Sequence, residues 1–540
     1  MALAFAAAIR SRPVLWLIGL VGLLYLWNLG RVELSVTDET RTGMIVRDML
    51  SGNWLLPRTP DGYLVEKPPT FYASCALLGS IFGVNEWTLR GVSILASLGT
   101  LGVTAWFVRL FGSSRAAWLS VAALASNIIF LAAARDAMVD MMLTFFLTVG
   151  FAAYYAKRVG KLSPERATGL CGLAFGLAAL TKGPLGLALP IAVCGGDLLL
   201  QTRGRFWSIS KAWAPAIGVV LLAAAVSALW YVPGLLEGKG EFLETSILSE
   251  NFRMPMGKAK GIGVAHYKPW SYYPLRQLVA VVPLLPLLAT LPGWFRDPAS
   301  GSARRLLGSW SLFGFLLFEI ASNKRFYYLV TIQPAFAAMI ALAADRWAER
   351  NQGSRAIFVV IGGALALAGL ACEVGAFFPP SIGGARGAEI VAAIGRQRAW
   401  VVGFGSLIAI VGAAMVWSTR RGPAELLASA AAVGLLVVAV RCGLGDRFEA
   451  EFNRTRPFVA TMAPRIPAGT RQAIHPPITG YSLDFYWPHS LPRDSKEALA
   501  AEYVFIQRLK MAELPGIVEI LGTWKYGDSD RDVVLVRRTP

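Results

Sequence analysis

The chain has 540 residues, of which 55% are hydrophobic and only 16% are charged, and its mean hydropathy is +0.52. Soluble domains carry roughly 25% charged residues, so this composition excludes an ordinary soluble protein and predicts a polytopic membrane protein. The net charge of +18 does not indicate nucleic acid as a partner, because the lysines and arginines form short clusters between apolar runs, where they orient a membrane protein and attract anionic lipids.

Apolar segments that are long enough to cross a bilayer recur along the chain. The first, residues 14–29, follows Arg10 and Arg12 and lacks a clear small-residue cleavage site, so we interpret it as a retained helix and not as a signal peptide. The other predicted spans are 88–110, 116–134, 138–156, 167–181, 184–201, 213–234, 276–295, 306–321, 326–345, 356–378, 399–417 and 423–441. Because each crossing needs about 20 mostly apolar residues, we predict an all-α membrane domain over residues 1–441 with about 13 transmembrane helices.

The basic residues set the predicted orientation. Arg10 and Arg12 precede the first span and place the N-terminus in the cytoplasm. The connections then assigned to the cytoplasm contain Arg115, Lys157, Arg158, Lys161, Arg203, Arg205, Arg304, Arg305, Arg346, Arg350, Arg355, Arg420 and Arg421. An odd number of spans leaves residues 442–540 outside, where "AEYVFIQ" and "DVVLVRR" predict strands and "SKEALAAE" predicts a helix after a serine cap. We expect a small soluble α/β domain there.

Charged residues are concentrated at the outer ends of the predicted spans. Residues 35–87 carry mixed charge around the apolar patch "FYASCALLGSIFG" and predict helices that lie along the membrane interface, and residues 235–275 form a second outer segment. Taken singly, these charges have ordinary explanations: Asp136, four residues before Asp140, can cap a helix N-terminus, and Lys182 and Lys324 can extend toward the interface. Together they are costly, at roughly 2.5–3.5 kcal/mol each within the bilayer, and they indicate a shared polar cavity.

Carboxylates and several cations in one cavity suit a substrate that carries phosphate on a lipid tail. A carboxylate can accept the proton of an attacking hydroxyl, and Asp38 is our candidate base. Lysine and arginine stabilise the charge that develops on a phosphate leaving group. The candidates for this task are Arg41, Lys67, Lys182 and Lys324, which the sequence does not rank.

Four motifs carry a resemblance to a known family: "TDETR" after the first span, "EKPP", the aspartate that begins the fourth span, and "TKGP". In this order they resemble the polyprenyl-phosphate-dependent GT-C glycosyltransferases, and most closely the bacterial branch with the lipid A aminoarabinose transferases and the protein O-mannosyltransferases. The resemblance covers about residues 10–345. It implies an inner-membrane enzyme whose periplasmic site moves a sugar, with inversion, from an undecaprenyl phosphate carrier to a lipid or protein acceptor. We expect a monomer.

The resemblance also implies roles for individual residues. Asp38 falls on the family's acidic position after the first span, and Asp140 falls on its second acidic position. The motif "SNKRFYYL" corresponds to a lysine-rich turn near the donor phosphate. The candidate phosphate ligands are therefore Lys67, Arg41, Lys182, Lys324 and Arg325.

A divalent metal is a separate expectation. His266, in "HYKPWSYY", lies where family members often carry a histidine, and together with Glu66 it offers two ligands for a structural zinc or magnesium ion. Two ligands do not establish a site, and GT-C enzymes differ in their need for a metal. We therefore expect no required cofactor.

Other functions stay open at this point. The chain has "YLVEKPP" where the aminoarabinose transferases typically have "YFEKP", so the sugar and the acceptor are not fixed. A flippase of lipid-linked sugars would carry ionisable residues near the middle of its spans and often has inverted repeats, neither of which this sequence shows. A polysaccharide ligase or polymerase would use a long outer loop with arginines or a histidine, and residues 235–275 contain Arg253 and His266.

Overall fold

The computed structural model describes residues 12–34, 38–202, 210–253, 256, 268–298, 301–350, 355–378, 384–476, 478, 481–525 and 532–539. The α-helices are Arg12–Leu26, Asp38–Leu50, Thr70–Phe82, Glu86–Val108, Ser114–Ser126, Ile128–Arg135, Val139–Arg158, Pro164–Lys182, Leu185–Thr202, Ser210–Phe242, Tyr272–Ala280, Leu285–Leu288, Leu291–Arg296, Gly301–Ile320, Gln333–Arg350, Ala356–Phe377, Gly384–Arg396, Arg398–Ser418, Pro423–Val440, Asp446–Ala450, Thr455–Met462, Ser482–Tyr486 and Ser495–Ala500. The 3-10 segments are Val282–Leu284, Phe326–Ile332, Ala463–Arg465 and Arg508–Glu513, and the π-helical segments are Leu243–Arg253 and Arg441–Gly445.

Within these described ranges, 7 helices are long and apolar enough to cross a membrane. They are Glu86–Val108, Val139–Arg158, Pro215–Asn251, Phe326–Arg350, Ala356–Phe377, Arg398–Ser418 and Pro423–Ala450. The bent pair Ser114–Ser126 and Ile128–Arg135 adds one more crossing if it forms a single span. The chain is therefore a multi-pass helical membrane protein, and the larger number of about 13 spans stays a prediction.

Two predicted spans are interrupted in the structure. The segment 116–134 bends by 68°. The bend lies at Asn127, whose extended backbone ends one helix and whose side chain accepts a hydrogen bond from the Phe130 amide at the start of the next. The segment 276–295 is divided into helices of 9 residues or fewer because proline removes a backbone donor. The prolines are Pro283, Pro286 and Pro292.

The predicted interfacial region contains the helices Asp38–Leu50 and Thr70–Phe82. Glu39 fixes the first of them, because its carboxylate pairs with Arg90 at 2.7 Å and accepts a hydrogen bond from the Ala137 amide at 2.9 Å. Both side chains of the ion pair are buried, and removing one partner of such a pair costs about 3–5 kcal/mol. This contact also fixes Asp38, one residue earlier, at the helix N-terminus.

The C-terminal region contains a four-stranded mixed sheet in the order β1-β2-β4-β3. The strands are β1 (Gln472–Ile474), β2 (Tyr503–Gln507), β3 (Ile517–Lys525) and β4 (Asp532–Thr539). β1 is parallel to β2, and the other pairs are antiparallel. The sequence predicts β2, β4 and the helix Ser495–Ala500, although the helix is capped by Asp494 and not by a serine. It does not predict β1 or β3.

This C-terminal region packs on the helix Asp38–Leu50. Arg47 donates to the carbonyl oxygens of Asp484 at 3.2 Å and Phe485 at 2.9 Å, and its guanidinium lies 4.4 Å from the Phe485 ring centroid. Gly43 contacts the same ring so closely that a Cβ would collide with it. The C-terminal region is therefore held against the end of the helical bundle that carries the candidate site.

Candidate active site

Asp38 lies at the first position of its helix and forms an ion pair with Arg325. The distance from Arg325 Nη1 to Asp38 Oδ2 is 2.6 Å, and the Tyr327 hydroxyl donates to the same oxygen at 3.3 Å. Burial alone would raise the pKa of Asp38, but the charges of Arg325 and Lys67 and the Tyr327 hydrogen bond lower it below the ordinary value. Because 36% of the Asp38 side chain stays exposed, the site offers an ionised and accessible carboxylate.

Lys67 and Arg41 each lie beside a glutamate. Lys67 Nζ is 3.7 Å from Glu250 Oε1, and Arg41 Nη1 is 3.2 Å from Glu66 Oε2. The Arg41 guanidinium also lies 5.5 Å from the Tyr63 ring centroid. Burial lowers the pKa of Lys67, but nearby negative charge, Glu250 first, raises it well above the ordinary value. Both cations therefore stay charged, as binding of a phosphate requires.

Asp140 and Lys182 form a buried ion pair next to this group. The Lys182 ammonium contacts Asp140 Oδ1 and lies 3.9 Å from the Tyr328 ring centroid. The side chains of Lys182 and Asp140 are only 10% and 5% exposed. Lys182 also interacts electrostatically with Lys67 and Glu250. The structure thus brings Asp140 and Lys182 into the same charged cluster as Asp38.

Two predicted site residues are not part of this cluster as the structure describes it. Lys324 turns to Glu319, with an Nζ–Oε1 distance of 2.6 Å, so its contact with a donor phosphate stays a prediction. His266 lies outside the described residues. Its predicted partner in a metal site, Glu66, is held by Arg41, and the described part of the chain contains no group of three residues that could ligate a metal. The residues seen here therefore do not form a metal site, and the metal stays a prediction.

The structure adds three site residues that the sequence motifs do not identify as such: Glu250, Tyr327 and Tyr328. The two tyrosines belong to "SNKRFYYL", so the motif that contains Arg325 also marked their position. Glu250 is one of several acidic residues between 235 and 275 and carries no local motif. Only the chain fold, which brings the segment Leu243–Arg253 next to Lys67, identifies it.

Among the residues that the structure describes, the site has an equal number of positive and negative side chains. The carboxylates are Asp38, Glu66, Asp140 and Glu250, and the cations are Arg41, Lys67, Lys182 and Arg325. A phosphate can bind here by taking the place of a carboxylate on one or more cations. Asp38 is the most exposed of the four carboxylates and can accept a hydrogen bond from an incoming hydroxyl.

Several known proteins resemble this chain in sequence. The family model for dolichyl-phosphate-mannose-protein mannosyltransferase matches residues 16–246. An uncharacterized protein of Aquifex aeolicus is 33% identical over 60% of this chain and 61% of its own length. An undecaprenyl phosphate-alpha-4-amino-4-deoxy-L-arabinose arabinosyl transferase of Shewanella sediminis is 27% identical over 59% of this chain and 57% of its own length. Both alignments span less than two thirds of the relatives.

The structural similarity extends over nearly the whole chain. ArnT from Cupriavidus metallidurans in the apo state superposes with a TM-score of 0.77 over 97% of both chains, at 19% sequence identity. This chain has the ArnT fold. The form of ArnT bound to undecaprenyl phosphate matches with a TM-score of 0.75 at 21% identity. The predicted resemblance to the GT-C glycosyltransferases, and among them to the aminoarabinose transferases, is thereby confirmed.

Proposed function

We propose that this protein is an inner-membrane glycosyltransferase that moves a sugar from undecaprenyl phosphate to a hydroxyl group of an envelope glycolipid, with lipid A as the first candidate. The observation that carries the proposal is the convergence of Asp38 with Arg41, Lys67 and Lys182 in a chain with the ArnT fold. The names of the sequence relatives make 4-amino-4-deoxy-L-arabinose the first sugar to test. A protein hydroxyl is the alternative acceptor.

The proposed reaction is a single displacement at the anomeric carbon. The acceptor oxygen forms a bond to this carbon from the face opposite the phosphate, while the bond from the carbon to the phosphate oxygen breaks. The electron pair of the broken bond passes to the phosphate, and the configuration is inverted. Asp38 takes the proton of the acceptor hydroxyl, for which its lowered pKa keeps it ionised.

The other charged residues bind the donor and hold Asp38 in place. Lys67, Arg41 and Lys182 stabilise the negative charge that grows on the departing phosphate. Arg325 contacts Asp38 directly and orients its carboxylate. Asp140 orients the Lys182 ammonium in the same way.

The proposed orientation follows the positive-inside rule. Arginine-rich connections such as the one with Arg304 and Arg305 face the cytoplasm, together with the N-terminus. The Asp38 cluster and the C-terminal region then face the periplasm. This places the site on the side of the membrane where envelope glycolipids are modified.

The test uses the full-length protein in liposomes with undecaprenyl phosphate-linked 4-amino-4-deoxy-L-arabinose and lipid A. Mass spectrometry measures free undecaprenyl phosphate and modified lipid A. Wild type is expected to produce both, and Asp38→Asn is expected to be about 10²–10⁴-fold slower, which is the usual contribution of a general base. Lys67→Ala is expected to be about 10²–10³-fold slower, because it removes a group that stabilises the leaving phosphate.

Arg58→Gln is the matched control. Arg58 is an exposed arginine paired with Glu241 at 2.7 Å, so its replacement is expected to leave the rate near that of wild type. Full activity of Asp38→Asn would contradict the assignment of the base. Movement of the intact donor across the bilayer without sugar release, with any donor of a panel, would support a flippase instead.

A further inference from the structure

Each cation of the site, as far as the described ranges show it, has a carboxylate partner. The pairs are Arg325–Asp38 at 2.6 Å, Arg41–Glu66 at 3.2 Å, Lys67–Glu250 at 3.7 Å, and Lys182–Asp140. A phosphate that enters adds negative charge to a set in which the charges already balance. We therefore expect at least one carboxylate to yield its cation to the phosphate, because a buried anion needs a partner of opposite charge.

Among the four carboxylates, Glu250 makes the loosest contact with its cation. Its distance to Lys67 is the longest among the four pairs and exceeds the length of a hydrogen bond. Glu250 Oε2 is buried and, among the described residues, has no hydrogen-bond partner. Burial and the negative charge of Glu66 disfavour the Glu250 carboxylate, whereas the charges of Lys67, Lys182 and Arg41 favour it. The geometry of the Lys67 contact therefore carries the argument.

The backbone places Glu250 beside Lys67. Glu250 belongs to the π-helical segment Leu243–Arg253. π-helical turns are rare in proteins, and those that occur are often found at functional sites. The Ser246 hydroxyl of this segment donates to the Val65 carbonyl at 2.8 Å, two residues before Lys67. This hydrogen bond fixes the segment Leu243–Arg253 to the backbone near Lys67. The Glu250 carboxylate itself is linked to Lys67 by one long ion pair, so it can move while the backbone stays in place.

We propose that Glu250 occupies the place of the donor phosphate on Lys67, that the phosphate displaces it on binding, and that its return promotes release of undecaprenyl phosphate. This inference rests on the proposed function. Glu250 is a positioning residue in this scheme, because it acts on the substrate through Lys67.

The charge change during the reaction explains why a competing carboxylate is useful. The donor is a phosphodiester with one negative charge. After the bond to the sugar breaks, the product is a monoester, which carries more negative charge at neutral pH because its second pKa is about 6. Cations that bind the donor would therefore bind the product more tightly. A carboxylate that competes for Lys67 weakens this product complex.

The test is a titration of the full-length protein in nanodiscs with undecaprenyl phosphate. Glu250→Gln removes the competing charge and is expected to bind this lipid about tenfold more tightly than wild type, a change of about 1.4 kcal/mol. In the transfer assay the same variant is expected to have a lower donor KM and also a lower kcat, since product release slows. If Glu250 only stabilised the fold, its replacement would not lower the donor KM and kcat together.

Two further variants control the experiment. Glu244→Gln changes a glutamate on the same segment that is exposed and paired with Arg253, and it is expected to bind like wild type. Adding Glu250→Gln to Lys67→Ala is expected to give a smaller gain in affinity than Glu250→Gln gives in the wild type, because Lys67 is the cation paired with Glu250, while Lys182 and Arg41 act on it as well.

Equal or weaker binding by Glu250→Gln, with unchanged thermal unfolding, overturns the inference. If this variant does not fold, Glu250→Asp replaces it, and its shorter side chain is expected to give a smaller gain in affinity; unchanged affinity again overturns the inference. Failure of the proposed function gives a different result, in which wild type does not bind undecaprenyl phosphate and Lys67→Ala has no effect.

Discussion

The contact between Arg325 and Asp38 predicts how sugar transfer depends on pH. Replacing Arg325 by glutamine removes a positive charge that lies 2.6 Å from the Asp38 carboxylate and leaves a side chain that can still donate hydrogen bonds. The charge of Arg325 lowers the pKa of Asp38, so its loss raises that pKa. The proposed base is then protonated, and inactive, up to a higher pH than in wild type.

The size of the effect follows from the distance and the exposure of the pair. Two unit charges 4 Å apart interact by about 1 kcal/mol in water and by about 4 kcal/mol at an effective dielectric constant of 20. The Arg325 and Asp38 side chains are 27% and 36% exposed, so solvent screening favours the lower part of this range. Since about 1.4 kcal/mol corresponds to a factor of ten in ionisation, the acid limb of the activity profile is expected to move up by about one pH unit.

The assay is kcat/KM for the donor measured on full-length protein, because this parameter reports ionisation of the free enzyme. The range begins at about pH 3, below the ordinary carboxylate pKa of about 3.9, because the lowered pKa of Asp38 puts the wild-type acid limb there. Arg58→Gln, which removes an exposed arginine from another ion pair, is expected to leave the acid limb in place. An unchanged limb in Arg325→Gln, together with loss of activity in Asp38→Asn, would refute the reasoning. A higher donor KM with an unchanged limb would identify Arg325 as a phosphate ligand instead.

Two other changes test the packing that positions the site. Lys182→Met leaves Asp140 buried without its partner and is expected to lower the free energy of unfolding by about 3–5 kcal/mol. Adding Asp140→Asn removes the unpaired charge, so the double variant is expected to recover most of the stability but not the activity. Thermal unfolding measures the stability of the single and the double variant. If Lys182→Met were as stable as wild type, the ion pair between Lys182 and Asp140 would not contribute to stability. Arg47→Ala removes one hydrogen bond to the Asp484 carbonyl, one to the Phe485 carbonyl and the contact with the Phe485 ring, and it is expected to speed proteolysis of the C-terminal region. An unchanged cleavage rate would show that this contact does not hold the region.

The sequence predicts the long helices well because a bilayer requires a nearly continuous apolar run. The spans predicted at 138–156 and 356–378 correspond to Val139–Arg158 and Ala356–Phe377. It fails where a local interaction interrupts such a run. The bend at Asn127 depends on a side chain that caps the next helix and also donates to Gln333 Oε1 at 2.8 Å, and Gln333 is distant in sequence.

The site is predictable to the extent that its residues lie in motifs at the ends of spans. Asp38, Lys67 and Lys182 are predicted in this way; the fold brings them into one charged cluster, and their roles stay predictions. Glu250 could not be recovered from its surroundings in sequence. Its role depends on the approach of the segment Leu243–Arg253 to Lys67, which is a property of the tertiary structure.

Lys324 and Arg325 show why a motif alone does not rank cations of the same sign. They are neighbours in "SNKRFYYL", and Arg325 has an extended backbone, with φ −120° and ψ 139°. In extended backbone, successive side chains point in opposite directions. Lys324 accordingly reaches Glu319, whereas Arg325 reaches Asp38. The extended backbone thus directs Arg325, and not Lys324, to the proposed base Asp38. The pH profile of Arg325→Gln tests this contact.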